Sequence, residues 1–242
     1  MNDQLSRPLL QKVAVVTGAS RGIGRALAAA LAGAGCQLAL CARNTKFLEQ
    51  VELAGRFGVP VLVAECDVRA EDSVSRFFDA IRERYGRVDI LVNNAGVAGP
   101  MATVEQMTLA DWQDALETNL TGTFLTTRAA LPLMPRGGAI VNNLSIAAKR
   151  PFTGESAYVA AKHGAKGFTD TLREELRERE IRVIALMPGA TNTDLWNQFW
   201  PEAPRDRMMS PQTVAQAVIH ALTLPAGAGV EELVLAPVSG SL

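Results

Sequence analysis

The chain has 242 residues, 48% of them hydrophobic and 20% charged, with a formal net charge of −1 at pH 7. That length is enough for one large core, and the near-neutral balance lacks the basic excess of a nucleic-acid binder or a membrane-surface patch. The opening MNDQLSRPLLQK has no long apolar stretch and no later apolar run reaches membrane-spanning length, so a cytoplasmic protein with one domain over 1–242 is expected, its residues 1–10 a loose arm.

In chain order, short runs rich in Val, Ile, Leu and Ala alternate with longer helical patterns. KVAVVTG precedes RALAAALAGAG; then come QLALCA, KFLEQVELAGRFG, PVLVAECDV, VSRFFDAIRERYG and VDILVNNAG. TLADWQDALETNLTGTFLTTRAALPLM follows, then GAIVNNLS, SAYVAAKHGAKGFTDTLREELRERE and IRVIALMPG, with a last helix near PQTVAQAVIHALTL and a final strand at EELVLAP. The strands lack polar alternation, so both faces should be buried, which indicates a parallel sheet with helices on each side, a doubly wound α/β fold. Cys36, Cys41 and Cys66 lie in or near these apolar runs without paired spacing or a histidine cluster; they read as buried thiols, and no metal is expected.

The first strand ends in TGASRGIG, where Gly18, Ser20, Arg21, Gly22, Ile23 and Gly24 lead into a helix. Glycines at such a turn let the backbone approach a pyrophosphate, and the helix N-terminus offers free N–H groups and a positive dipole end. The spacing is G-x-x-x-G-x-G, a weak signal by itself that a methyltransferase can also carry. A site that prefers NAD places an acid at the end of the second strand. Here Cys41 and Ala42 occupy that place and Arg43 follows, so Arg43 and Arg21 suit a 2′-phosphate, and NADP(H) is expected over NAD(H).

Tyr158 and Lys162 stand four residues apart in SAYVAAKHGAKGF, on one face of a helix. A cation beside a phenol favours the phenolate and lowers its pKa toward the range of acid–base catalysis. Taken alone, the pair also reads as a lysine snorkelling over a ring.

Together these stretches resemble the short-chain dehydrogenase/reductase family over nearly the whole chain. The resemblance rests on TGASRGIG, Asp67 and Val68, the NNAG segment with Asn94, Ala95 and Gly96, Asn119, Ser145, the Tyr158/Lys162 pair, and PGATNT with Pro188, Gly189, Thr191 and Thr193. It implies one Rossmann-type domain with a mostly parallel seven-stranded sheet. Asp67 and Val68 would border the adenine, NNAG (Asn93 to Gly96) would lie beside the ribose and support the central strand, and PGATNT would hold the nicotinamide amide, with Thr193 near the pyrophosphate. It further implies that Tyr158 is the acid in carbonyl reduction and Lys162 its partner on the nicotinamide ribose. Ser145 would donate to the reacting oxygen, and Asn119 would hold a water behind Lys162. A small carbonyl or alcohol substrate is expected, with no nucleic-acid or membrane partner, and a homotetramer or homodimer built partly from the helices around Asn119 and Tyr158.

Two departures limit the substrate reading. Asn143 and Leu144 replace the residues that usually precede the serine, and VEELVLAPVSGSL stands in place of a glycine-rich C-terminal segment, which weakens a 3-oxoacyl carrier-protein reductase role. A catalytically silent dinucleotide sensor is the other alternative, set against it by the retained Tyr158 and Lys162. Lys149 and Arg150 are candidates for steering an anionic substrate. Residues 194–209, DLWNQFWPEAPRDRMM, carry Leu195, Trp196, Phe199, Trp200, Met208 and Met209 and are expected to form a substrate loop, or to pack against the core or a neighbouring subunit.

Overall fold

The computed structural model describes residues 7–45, 57–198, 200–225 and 227–240. The apolar runs form seven parallel strands: β1 (Val13–Thr17), β2 (Gln37–Ala42), β3 (Val61–Glu65), β4 (Ile90–Asn93), β5 (Ala139–Asn143), β6 (Arg182–Pro188) and β7 (Glu232–Leu235). Their order in the sheet is β3-β2-β1-β4-β5-β6-β7, so the direction of winding reverses between β1 and β4. Registers such as Val15↔Leu91 and Val92↔Val141 level the central strands, which brings their C-terminal ends to one edge.

The central strands are buried on both faces, as their unbroken apolar runs require. The edge differs. In β7, Glu232 and Val234 are exposed and alternate with partly buried Leu233 and Leu235, because helices cover only one of its faces.

Among the described residues six α-helices flank the sheet: α1 (Gly22–Gly33), α2 (Glu71–Tyr85), α3 (Leu109–Leu116), α4 (Gly122–Ala130), α5 (Ser156–Glu175) and α6 (Pro211–Leu222). On one face Leu27 and Leu31 of α1 pack with Val214, Val218 and Leu222 of α6 against Val16, Val92 and Val141. On the other, Phe77, Phe78 and Ile81 of α2, Leu125 of α4 and Leu172 of α5 cover Val15, Leu91 and Ile140. Full burial of each such side chain contributes ~1.5–3 kcal/mol. Local signals agree with the elements: α2 has acids in its first turn, arginines in its last and a left-handed Gly86 beyond it, and Ser210 caps α6 by accepting from the Thr213 N–H at 3.0 Å.

Part of the expected arm is not loose. The Leu9 side chain is buried and its N–H donates to the Ala34 carbonyl at 2.9 Å, because apolar Leu9 caps the end of the core beneath α1. The expected helix KFLEQVELAGRFG falls almost wholly in 46–56, outside the described residues. No helix among the described residues is long and apolar enough to cross a membrane.

Candidate active site

A cleft of about 700 Å³ opens over the C-terminal ends of the strands at the β1/β4 reversal. Its floor is the glycine turn. Gly18 and Gly22 have φ of +62° and +56°, in the left-handed region. A Cβ on Gly18 would stand 2.7 Å from the Ala95 Cα, and one on Gly24, behind the cleft wall, 2.3 Å from the Gly18 carbonyl oxygen. Asn94 closes the turn from beneath: its side-chain amide donates to the Thr17 and Gly18 carbonyls at 3.0 and 3.1 Å. The Thr17 hydroxyl accepts from the Asn94 and Ala95 N–H groups, both at 3.0 Å. α1 starts with no side-chain cap, so its first N–H groups open onto the cleft beside Ser20, Arg21 and Ile23, where a pyrophosphate fits.

At the β2 end of the cleft, Cys41 and Ala42 are buried while Arg43 and Arg21 are exposed. Neither arginine makes an ion pair among the described residues. Asp67 also lines this end, but its carboxylate is committed. The Arg69 guanidinium grips it at 2.7 Å and, with the Arg69 N–H, holds its pKa below the ordinary value; the Arg43 charge adds a smaller pull. Val68 is buried against Gly122, where a Cβ would approach its Cγ2 to 2.7 Å.

The reacting end is built from three elements. The long helical pattern after residue 108 is interrupted between α3 and α4 by one π-helical turn, Glu117–Thr121, carrying Asn119. The buried Asn119 amide donates to the Val97 and Ala115 carbonyls, both at 2.9 Å, which leaves its Oδ1 buried without a partner among the described residues. That oxygen lies beside Gly96, where a Cβ would stand 2.8 Å from it and 3.7 Å from the Lys162 Nζ. Thr118 Oγ1 is orphaned in the same way. Unpaired buried polar atoms and close backbone approaches along the cleft are what a dinucleotide site requires.

Ser145 follows β5 with φ 71° and ψ 159°, a conformation rare for a non-glycine residue and costing ~1–3 kcal/mol. It places the hydroxyl in hydrogen-bonding reach of the Tyr158 phenol. Burial pushes that phenol up to about 12, against the lowering effect of Ser145, and the Glu155 carboxylate raises it further. The lowering expected from Lys162 is not among these effects; the only downward pull is that of Ser145. The Lys162 ammonium donates to the Asn143 carbonyl at 2.9 Å and sits 5.4 Å from the Tyr158 ring centroid; burial holds it down to about 8.

Beneath the site runs a buried polar network centred on Asn93, the first residue of NNAG. Asn93 donates to Asn142 Oδ1 at 2.8 Å and Thr127 Oγ1 at 2.9 Å, accepts from Thr126 at 2.7 Å, and Asn142 donates on to Thr169 at 2.9 Å. Asn143 reaches Asn94 Oδ1 at 2.9 Å. The network joins β4 and β5 to α4 and α5 and fixes the strand ends that bear Asn94 and Ser145.

Beyond β6, Pro188, Gly189, Thr191 and Thr193 form the far wall, with the Gly189 N–H donating to the Leu235 carbonyl at 2.7 Å. The segment after them is strapped at both ends: Met209 N–H donates to the Ala190 carbonyl at 3.0 Å and Asn192 N–H to the Met209 carbonyl at 2.8 Å. Leu195, Trp196 and Trp200 line the cleft, the two indoles 6.0 Å apart and the Trp196 N–H on the Thr191 carbonyl at 2.8 Å. Met209 packs on the core, and Phe199 lies outside the described residues. Lys149 is paired with Glu232 and is not among the residues that line the cleft; Arg150 lines the cleft and is engaged with a partner. Glu155, which no motif announced, also lines the cleft one helical turn before Tyr158. Among the described residues no His, Cys, Asp or Glu group could hold a metal.

A glycine cradle, a helix start and a Ser–Tyr–Lys set around one cleft define a nicotinamide-dinucleotide oxidoreductase of the doubly wound class. The chain matches the short chain dehydrogenase family model over residues 12–204, and it belongs to that family. It is 35% identical over 243 residues to a sepiapterin reductase of Chlorobaculum tepidum, covering 96% of this chain and 99% of that one. It is 36% identical to a 3-oxoacyl acyl-carrier-protein reductase of Aquifex aeolicus, covering 86% and 88%. Among solved structures it resembles an alcohol dehydrogenase of Thermococcus sibiricus complexed with 5-hydroxy-NADP, at TM-score 0.88, 37% identity and 94% and 97% coverage. The chain is thus an enzyme that moves hydride between a nicotinamide dinucleotide and a carbonyl or secondary alcohol.

Proposed function

We propose that the chain is an NADPH-dependent reductase of ketones or aldehydes in which Ser145, Tyr158 and Lys162 handle the carbonyl oxygen. The observation that carries this reading is the convergence of these three residues, from two separate elements, on the cleft that also holds the glycine turn. Bound NADPH supplies the hydride. The protein's part is to position the carbonyl and manage its oxygen. Tyr158, neutral across the physiological range, is a proton donor to the oxygen as charge develops there, and Ser145 hydrogen-bonds the same atom. Lys162, still protonated near neutrality, places a cation behind the phenol, and the unpaired Asn119 Oδ1 near it supports a proton path. Gly18, Ser20 and Gly22 receive the pyrophosphate; Asp67, Val68, Asn94, Ala95 and Gly96 border the adenosine; Pro188, Gly189, Thr191 and Thr193 hold the nicotinamide side.

Two observations support NADPH over NADH. No acid stands at the end of β2, and exposed Arg43 and Arg21 flank that end of the cleft. Solved relatives are named as complexes with NADP or 5-hydroxy-NADP. Relatives named as 3-oxoacyl carrier-protein reductases leave that substrate open, but the pairing of Lys149 with Glu232 gives it no added support. Trp196 and Trp200 roof the substrate end in the role of a lid. A dimer or tetramer is supported by Phe124, 41% exposed on α4 and edge-on to Phe168 of α5 at 6.2 Å. Consumption of NADPH and of NADH with a panel of ketones and aldehydes tests the reading: turnover with NADPH is expected, and none with any carbonyl would refute it.

A further inference from the structure

Glu155 is the residue at the substrate end that the proposed chemistry does not use. It occupies the N-cap position of α5, yet its side chain caps nothing. It is partly buried, lines the cleft, and forms no ion pair or side-chain hydrogen bond among the described residues. At three residues before Tyr158 it stands on the same side of the helix, close to the phenol that meets the reacting oxygen. A carboxylate so placed is costly unless something cationic joins it.

The other charges around the cleft do not meet that need. Arg150 is already engaged with a partner, the Lys162 ammonium is spent on the Asn143 carbonyl, and Arg21 and Arg43 lie at the nucleotide end. Phe152, whose carbonyl accepts from the Glu155 N–H at 3.2 Å, and Met101, beside Gly154, are its apolar neighbours in the wall, and Trp196 and Trp200 line the same cleft. An acid beside aromatic faces is the surrounding that holds a protonated amine, through an ion pair and cation–π contact.

We propose that Glu155 makes this cleft selective for carbonyl substrates that carry a protonated amine a few bonds from the carbonyl, the ammonium seated between the Glu155 carboxylate and the aromatic wall. The inference rests on the reductase reading for the placement of the carbonyl at Tyr158, but the cation site itself is a binding property. Electrostatics agree with it. Burial raises the Glu155 pKa, and the Glu155 charge raises that of Tyr158, so a bound ammonium would relieve both groups.

The test uses calorimetry on the full chain saturated with NADP, at pH 7, with diethylaminopentanone (the methyl ketone) and its hydrocarbon isostere in which CH replaces N. The amine is expected to bind ten- to hundredfold more tightly than the isostere, as one charged hydrogen bond in a partly dry site allows. Glu155→Gln should collapse that ratio toward unity and Glu155→Asp should retain part of it, with melting temperatures recorded to verify folding. No preference in the unmutated protein, or a preference that survives in Glu155→Gln, would overturn the proposal. Failure of the reductase reading shows separately, as amine binding without NADPH-driven turnover.

Discussion

The two halves of the sheet, β3-β2-β1 on one side of the reversal and β4-β5-β6-β7 on the other, solve different problems. The first half is mostly apolar: Val13–Thr17 and Gln37–Ala42 are packed on by alanines and leucines, and it lends the cleft main-chain groups for a pyrophosphate, glycines at positive φ and an uncapped helix start, with the Arg21 and Arg43 side chains exposed at its rim. The second half buries side-chain chemistry. It holds the Asn93–Asn142 network, a π-turn with an orphaned amide oxygen, a strained serine and a buried lysine. A surface for a phosphate chain can be made of main-chain N–H groups and needs no particular side chain, whereas proton transfer needs named side chains held at fixed distances. Variants in the first half should therefore change which cofactor binds and how tightly; variants in the second should change turnover.

The sharpest break in the comparison is Tyr158→Phe. Turnover should fall by at least ~10²-fold while NADPH affinity, read by fluorescence titration, stays close to that of the parent. A matching loss of affinity would erase the distinction between the halves.

Lys162 offers a test through stability. Burial holds its folded pKa at about 8 against an ordinary 10.5, so between those values the unfolded chain binds more protons and stability rises with pH. Below that window the cost of the buried charge is fully present, on the order of 3 kcal/mol. Lys162→Met should be the more stable protein at neutral pH, with the gap to the parent closing toward pH 10.5 in urea unfolding; a gap independent of pH would show that the ammonium is not desolvated.

In the first half, Arg43→Asp should erase or reverse the preference for NADPH. A charge-assisted hydrogen bond of ~1.5–3 kcal/mol corresponds to a ten- to hundredfold change in the ratio of kcat/KM values for the two cofactors. An unchanged ratio would move the 2′-phosphate contact elsewhere.

The smallest effect is expected at Trp196→Ala. Its indole lines the cleft and bonds the Thr191 carbonyl, so KM for bulky apolar ketones should rise several-fold, more than for small ones. Equal changes across ketone sizes, with an altered oligomer, would make this segment an interface.

Much of this was legible in the sequence, for physical reasons. Strands buried on both faces must be apolar runs, so their alternation with helices announced the doubly wound sheet, and the two edge strands departed from it, β3 no more than partly buried and β7 alternately exposed. A turn that passes under a pyrophosphate must be glycine, which marked Gly18, Gly22 and Gly24. What stayed hidden depends on contacts between distant segments. The π-turn at Asn119 leaves no trace in a 3.6-residue period. Asn142 looked like an ordinary polar interruption of a strand until Asn93, 49 residues away, met it. The Tyr158/Lys162 spacing revealed a shared helix face, but not that burial, Ser145 and Glu155, rather than the cation, set the phenol's pKa. Asp67 was legible as a cleft residue, while its capture by Arg69 was not. Glu155 had no motif, because its place beside the Tyr158 phenol in the cleft exists only in the folded chain.

The central claim, that hydride leaves the nicotinamide for a carbonyl carbon in this cleft, is tested most directly by isotope transfer. With NADPH deuterated at the transferable position and a ketone that the panel identifies, each cofactor oxidised should yield one alcohol bearing deuterium on the carbinol carbon, and Tyr158→Phe should yield almost none. Cofactor oxidation without a deuterated alcohol, or binding of NADPH with no alcohol from any carbonyl, would contradict it.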